Sequence, residues 1–181
     1  MSVIYLASPY GFSPATVGFL NELKQKLRRG GHVVNDPWEL GEPLIRSMTE
    51  VARVTEDSRR RERLHQVSQQ IGEVNQKALD ASEVVVAMLD GSDVDSGTAS
   101  EVGYAAAAGK RILGFRGDFR RSGENEGVLV NLQVQYWVER SGGEIYRDVN
   151  DLIEALGTSE TADAEGRGRG DSGRARGAHG R

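Results

Sequence analysis

Val84 to Gly109 reads VVVAMLDGSDVDSGTASEVGYAAAAG. Its first part is an unbroken apolar run without period-two alternation, the pattern of a parallel strand buried on both faces. A loop with three aspartates, Asp90, Asp93 and Asp95, follows. The remainder is a helix of small residues with Gly109 as its stop. A buried strand, a polar loop and a helix in succession form half of a β-α-β unit.

The same alternation extends on both sides. Val3 to Ala7 (VIYLA) is a short apolar strand ending in the aromatic loop SPYGFSP. From Ala15 to Arg29, Val17, Leu20, Leu23 and Leu27 recur at helical spacing, and Gly30-Gly31 end the helix. HVVND is a second strand, followed by the loop NDPWELGEP. Residues from about Thr49 to Leu79 read as polar helix, with EDSRRRER as a solvated face. Arg111 to Phe115 is a fourth strand and GDFRRSGENEG a polar loop; Val128 to Arg140 reads as a helix. EIY is a fifth strand, and Asp148 to Leu156 a closing helix. The expected fold is a doubly wound α/β domain with a parallel sheet of about five strands, spanning residues 1–157. Ligands of such sheets bind beyond the carboxyl ends of the strands. Those ends carry SPYGFSP, NDPWE, LDGSDVDSGT and FRGDFR.

Composition narrows the chemistry. The chain has 181 residues, a net charge of −4 and no cysteine. Disulfides, thiolate metal sites and cysteine nucleophiles are excluded. The acidic balance argues against a nucleic-acid polymer as partner. No signal peptide and no membrane-spanning run is read, so the expected location is cytoplasmic. From Thr158 onward TSETADAEGRGRGDSGRARGAHGR lacks large apolar residues, and 158–181 is expected to be a disordered Gly/Arg-rich tail.

Glu101 sits near the start of the central helix. Thr98-Ala-Ser-Glu101 matches a capping box, in which Glu101 would bond back to the cap amide. The alternative is a carboxylate facing the ligand rim. Gly97, Gly103 and the alanines 105–108 leave room for a substrate, and the acidic loop exceeds what a cap requires. In the first turn of a helix the macrodipole would hold Glu101 ionised. An ionised carboxylate can attack an anomeric carbon, with Asp95 assisting the departing group. DGSDVDSG lacks the twelfth-place glutamate of a calcium loop, and no GK[ST] follows the glycines, so neither a metal nor a P-loop is expected.

Three ordered blocks, IYLASPYGFS, LDGSDVDSGTASEVGYAAAAGK and VNLQVQYW, resemble the nucleoside 2-deoxyribosyltransferase family over roughly residues 3 to 156. The D-x-G-T-x-x-E-x-G-x-A core is the specific part. The resemblance implies a Rossmann-like, flavodoxin-type fold and transfer of 2-deoxyribose between nucleobases through a covalent glycosyl-enzyme, in nucleotide salvage. It implies Glu101 as nucleophile, Asp95 at the base and Tyr5 orienting the nucleophile. Ser8, Pro9, Tyr10 and Phe12 would wall the pocket, the two aromatics stacking on a base. Asp36 and Trp38 lie on the same rim, as do Asp90, Ser96 and Gly97. Asn131 would be lent by a neighbouring subunit to the sugar 5′-hydroxyl, with Gln133 nearby, making the protein a homo-oligomer. No cofactor is implied; the partners are a nucleoside or nucleotide and a nucleobase acceptor.

Two positions depart from the family pattern. An aspartate common fifteen residues before the acid at Asp90 is here Asn75, and Ser8 stands where glycine is common. Asn75 can hydrogen-bond a base or sugar but cannot donate a proton as an acid. Two rivals follow. One is an N-glycosidase hydrolysing nucleosides or nucleoside 5′-monophosphates, with phosphate held at Ser96 to Thr98 and by Arg116, Arg120 and Arg121. The other is a non-catalytic nucleotide-sensing module.

Overall fold

The computed structural model describes residues 1–166. Five strands, β1 (Val3–Ala7), β2 (Val33–Asn35), β3 (Val84–Met88), β4 (Arg111–Phe115) and β5 (Ile145–Tyr146), form one parallel sheet in the order β2-β1-β3-β4-β5. This is the flavodoxin-type doubly wound order. Strand β3 is central and buried along its whole length, as its unbroken apolar run predicts. Edge strand β2 leaves Val33 about half exposed.

Alternation along the strands sorts side chains into two cores. Ile4, Leu6, Val84, Val86 and Met88 pack on one face against α1 (Pro14–Arg29) and α7 (Val149–Gly166). Tyr5, Ala7, Val85 and Ala87 point to the other face. There they meet α4 (Asp57–Asp80), α5 (Ser96–Ala107) and α6 (Leu132–Arg140). Each fully buried Val, Leu or Ile in these cores contributes about 1.5–3 kcal/mol. The odd positions of β1 therefore face α5, which places Tyr5 beneath the helix that carries Glu101.

Four local readings change. The loop read over 35–43 holds two helix starts: α2 (Pro37–Leu40) is capped by Asp36, and α3 (Glu42–Val51) follows Gly41. Pro37 and Pro43 sit in the first turns, where a missing N–H costs nothing. The long polar helix read from Thr49 is thus two helices, α3 and α4. Helix α6 begins only at Leu132, because the Asn131 side chain caps it by accepting from the Gln133 and Val134 amides at 3.1 and 3.3 Å. Helix α7 runs past Leu156 to Gly166. The rest of the Gly/Arg-rich tail lies outside the described residues.

Candidate active site

Strands β1 and β3 are neighbours, but β1 leads to β2 on one side and β3 to β4 on the other. Their carboxyl ends diverge there and leave a crevice. A cavity of about 460 Å³ occupies it. Ser8, Phe12, Pro37 and Trp38 form one wall and Asp95 to Thr98 with Glu101 the other, while Ile45 and Met48 of α3 and Ile71 and Asn75 of α4 close it. A second cavity of about 410 Å³ adjoins it, sharing Asn75, Gly97 and Glu101 and adding Gln76, Ser100 and Tyr104.

Glu101 is not the capping glutamate. Asp95 is the N-cap: its Oδ2 accepts from the Thr98 amide at 3.0 Å and from Thr98 Oγ1 at 3.4 Å. Helix α5 starts at Ser96, so Glu101 lies in the second turn. Its Oε1 instead accepts from the Tyr5 hydroxyl at 2.6 Å. The expectation that the macrodipole holds Glu101 ionised is also overturned, since that effect fades beyond the first turn. Burial pushes the Glu101 carboxyl up to about 7; the Tyr5 hydrogen bond opposes the rise and the Asp95 charge adds to it. Burial, reinforced by the Glu101 charge, pushes the Tyr5 hydroxyl far above the ordinary phenol range. Tyr5 is therefore a fixed proton donor to Glu101.

The remaining predicted residues divide into cavity wall and support. Ser8 lines the cavity, and its Oγ accepts from the Tyr10 amide at 3.1 Å. Pro9 begins the 3-10 turn Tyr10–Phe12 and is not among the lining residues. Phe12 stands at the rim, edge-on to Trp38 with ring centres 4.4 Å apart. Trp38 donates Nε1–H to the Ser8 carbonyl at 2.9 Å, tying the two loops of this wall. Its indole lies against Gly11, where a Cβ would stand 2.2 Å from Trp38 Cδ2. Asn75 borders both cavities, and its Oδ1 is buried with no hydrogen-bond partner among the described residues. At the cavity border this acceptor can take a hydrogen bond from a ligand donor.

Tyr10, Asp36 and Asp90 do not face the cavity. Tyr10 is a core residue, edge-on to Phe19 with its hydroxyl donating to Asp90 Oδ2, so it offers a base no stacking face. Asp90 Oδ1 accepts from the Asp118 amide at 2.8 Å, which consumes the second carboxylate oxygen. Asp36 is fully buried; it accepts from Lys24 Nζ at 2.7 Å and from the Trp38 amide at 3.0 Å. It holds Trp38 in place rather than touching a ligand. Asn131, besides capping α6, donates to Glu124 Oε1 at 2.8 Å, and neither it nor exposed Gln133 lines the cavity of its own chain.

The three arginines offered for phosphate are engaged elsewhere. Arg116 is fully buried among backbone carbonyls. Arg120 pairs with Asp118, and Arg121 donates to the Glu126 carbonyl. No lysine or arginine lines either cavity among the described residues. The described residues also hold no cluster of three or more metal-ligating side chains.

Sequence reading missed Pro37, Ile45, Met48 and Ile71. Ile45 and Met48 stand three apart and Ile71 and Asn75 four apart, the spacings that share a helix face. Reading 35–43 as loop hid α3 and its apolar face; Pro43 beside Glu42 was the available start signal.

Residues 4–133 match the family model described as nucleoside 2-deoxyribosyltransferase. An uncharacterized protein of Schizosaccharomyces pombe is 30% identical over 121 residues, which is 65% of this chain and 51% of that one. The chain thus spans about half the length of that relative. Among solved structures, a conserved protein of Enterococcus faecalis superposes with a TM-score of 0.63 at 23% identity, over 88% of this chain and 99% of that one. The 2-deoxyribosyltransferase of Bacillus psychrosaccharolyticus gives 0.58 at 24%, over 83% and 90%. The CMP N-glycosidase of Clostridium botulinum gives 0.51 at 17%, over 86% and 98%. These structural likenesses establish a shared fold, and the profile match over residues 4–133 goes further: the chain belongs to the nucleoside 2-deoxyribosyltransferase family.

Proposed function

We propose that this protein transfers 2-deoxyribose between nucleobases, with Glu101 as nucleophile, in nucleotide salvage. The observation that carries the reading is the Tyr5-bonded Glu101 carboxylate on the wall of the switch-point cavity. A Glu101 oxygen attacks C1′ of a 2′-deoxynucleoside, and the C1′–N bond breaks with its electron pair leaving on the base. The departing base takes a proton from water, with the Asp95 carboxylate accepting a hydrogen bond from the base. A nitrogen of a second base then attacks C1′, displacing the Glu101 carboxylate and losing a proton. Tyr5 steadies that carboxylate as it is regenerated. Ile45, Met48, Phe12 and Trp38 give the base an apolar berth, the usual character of a small-molecule site. Asn131 completes the site from a second copy in a homo-oligomer.

A second reading is hydrolysis, in which water replaces the acceptor base and free deoxyribose results. Asn75 bears on it, because an amide in place of an acid cannot take the proton that an acceptor base must lose in the second step. Within either reading, a nucleoside suits the cavity better than its 5′-monophosphate. The wall carries two carboxylates, Asp95 and Glu101, and among the described residues no cation to neutralise phosphate. The test is to incubate the protein with deoxyinosine and adenine and separate the products by chromatography. Deoxyadenosine supports transfer, and free sugar with both bases supports hydrolysis. Tight binding without turnover supports a nucleotide sensor and ends the enzymatic reading. Repeating it with deoxyinosine 5′-monophosphate is expected to lower the rate.

A further inference from the structure

Arg116 follows β4 directly and has no exposed surface. Among the described residues no carboxylate pairs with its guanidinium; it donates to the Leu89 carbonyl, to the Gly91 carbonyl at 3.0 Å and to the Arg120 carbonyl at 2.8 Å. A buried charge costs free energy unless its donors are matched, and here backbone carbonyls of two loops match them. Leu89 and Gly91 open the loop that ends in Asp95, and Gly91 turns it at a φ of 121°. Asp90, between them, takes the Tyr10 hydroxyl on one oxygen and the Asp118 amide on the other. Behind the cavity, then, one network joins the loop after β1, the loop after β3 and the loop after β4. Arg116 and Asp90 are its two junctions, and neither lines the cavity.

We infer that Arg116 is a positioning residue: by clamping the Leu89 and Gly91 carbonyls it fixes the loop that sets Asp95 at the wall of the nucleoside cavity. The inference rests on the proposed function for its kinetic consequence, but the clamp itself does not. Lysine keeps the charge, yet one ammonium on a flexible stem cannot reproduce the planar fork that spans both loops. A loop set loose by about 1 Å near the chemistry can cost on the order of a hundredfold in rate.

The test compares Arg116→Lys with the wild-type protein, alone and in an Asp95→Asn background, and follows amide hydrogen exchange at residues 90–98. Exchange there is expected to accelerate by about tenfold or more while β1 and β3 keep their protection. Arg116→Lys is expected to lower kcat/KM for base exchange by about tenfold to a hundredfold alone and by less than about twofold beside Asp95→Asn, since coupled residues are not additive. Unchanged protection at 90–98, or equal kinetic losses in the two backgrounds, would overturn the inference. Should Arg116→Lys fail to fold, Asp90→Asn cuts the neighbouring junction and is held to the same two outcomes. If the wild-type protein exchanges no bases, the functional reading fails while hydrogen exchange alone still decides the clamp.

Discussion

The Tyr5 hydroxyl donates a 2.6 Å hydrogen bond to Glu101 Oε1 across 96 residues of chain. A side chain from the central sheet thus meets one from the second turn of the next-layer helix. The bond stabilises the charged carboxylate, whereas burial and Asp95 disfavour it, and burial prevails. The anion is the nucleophile, so kcat/KM is expected to rise with pH around a midpoint of about 7. In Tyr5→Phe the opposing bond is gone. The midpoint then moves upward by about one pH unit, and activity at neutral pH falls about fivefold. A pH–rate series for both proteins checks the sign; a downward move in Tyr5→Phe contradicts the assignment.

Glu101 also sets a pH dependence of stability. Its folded pKa is raised above the unfolded value, so between about 4.5 and 7 the folded state binds more protons. Stability contributed by the neutral form is present below pH 4.5 and is lost as pH rises through about 7. Glu101→Gln is therefore expected to stabilise the protein at pH 8 by on the order of 3 kcal/mol, with the gain absent at pH 4. Thermal melts at the two pH values measure it, and equal melting temperatures for wild type and variant at pH 8 count against a strongly buried carboxyl.

Asn75 Oδ1 is buried at the border of both cavities, without a hydrogen-bond partner among the described residues. Replacing an unsatisfied buried polar group by an apolar one of similar size is neutral or stabilising. Asn75→Leu is thus expected to melt at or above the wild-type temperature, while KM for the nucleoside rises about tenfold, equivalent to about 1.4 kcal/mol. A clear loss of stability with KM unchanged would make Asn75 a structural residue.

Gly11 leaves no space for a side chain, because Trp38 fills it. Gly11→Ala forces the indole off its seat and reshapes the base wall. KM is expected to rise about tenfold while kcat stays within about threefold, the pattern of lost uniform binding. Steady-state kinetics with two donor nucleosides reads the effect, and wild-type KM for both would place Trp38 outside the base subsite.

Much of this was legible in the sequence. The unbroken run Val84–Met88 identified the central strand, while the face to which Tyr5 points emerges only in the folded sheet. The family motifs marked Glu101 and Asp95, and the position of NDPWE at a strand end marked Trp38; all three line the cavity. What failed was local. A Thr-x-x-Glu spacing suggests a capping box, but Asp95, three residues earlier than Thr98, reached the free amide first. An aromatic in a rim loop suggests a stacking face, but Tyr10 turns inward because Asp90 accepts its hydroxyl and Phe19 its ring. The apolar side of α3 was invisible because two prolines read as loop when they were helix starts. Arg116 reads as a phosphate-holding cation in the sequence; only tertiary structure supplies the carbonyls that bury it.

The central claim is a covalent bond from Glu101 to the sugar, and it can be tested without an acceptor. The protein is mixed with an excess of deoxyinosine, quenched in acid, digested and analysed by peptide mass spectrometry, with free hypoxanthine counted in the first turnover. A 2-deoxyribosyl group on the peptide containing Glu101, a burst of hypoxanthine matching the enzyme concentration, and loss of both in Glu101→Ala are predicted. Base exchange that persists in full in Glu101→Ala would contradict the account.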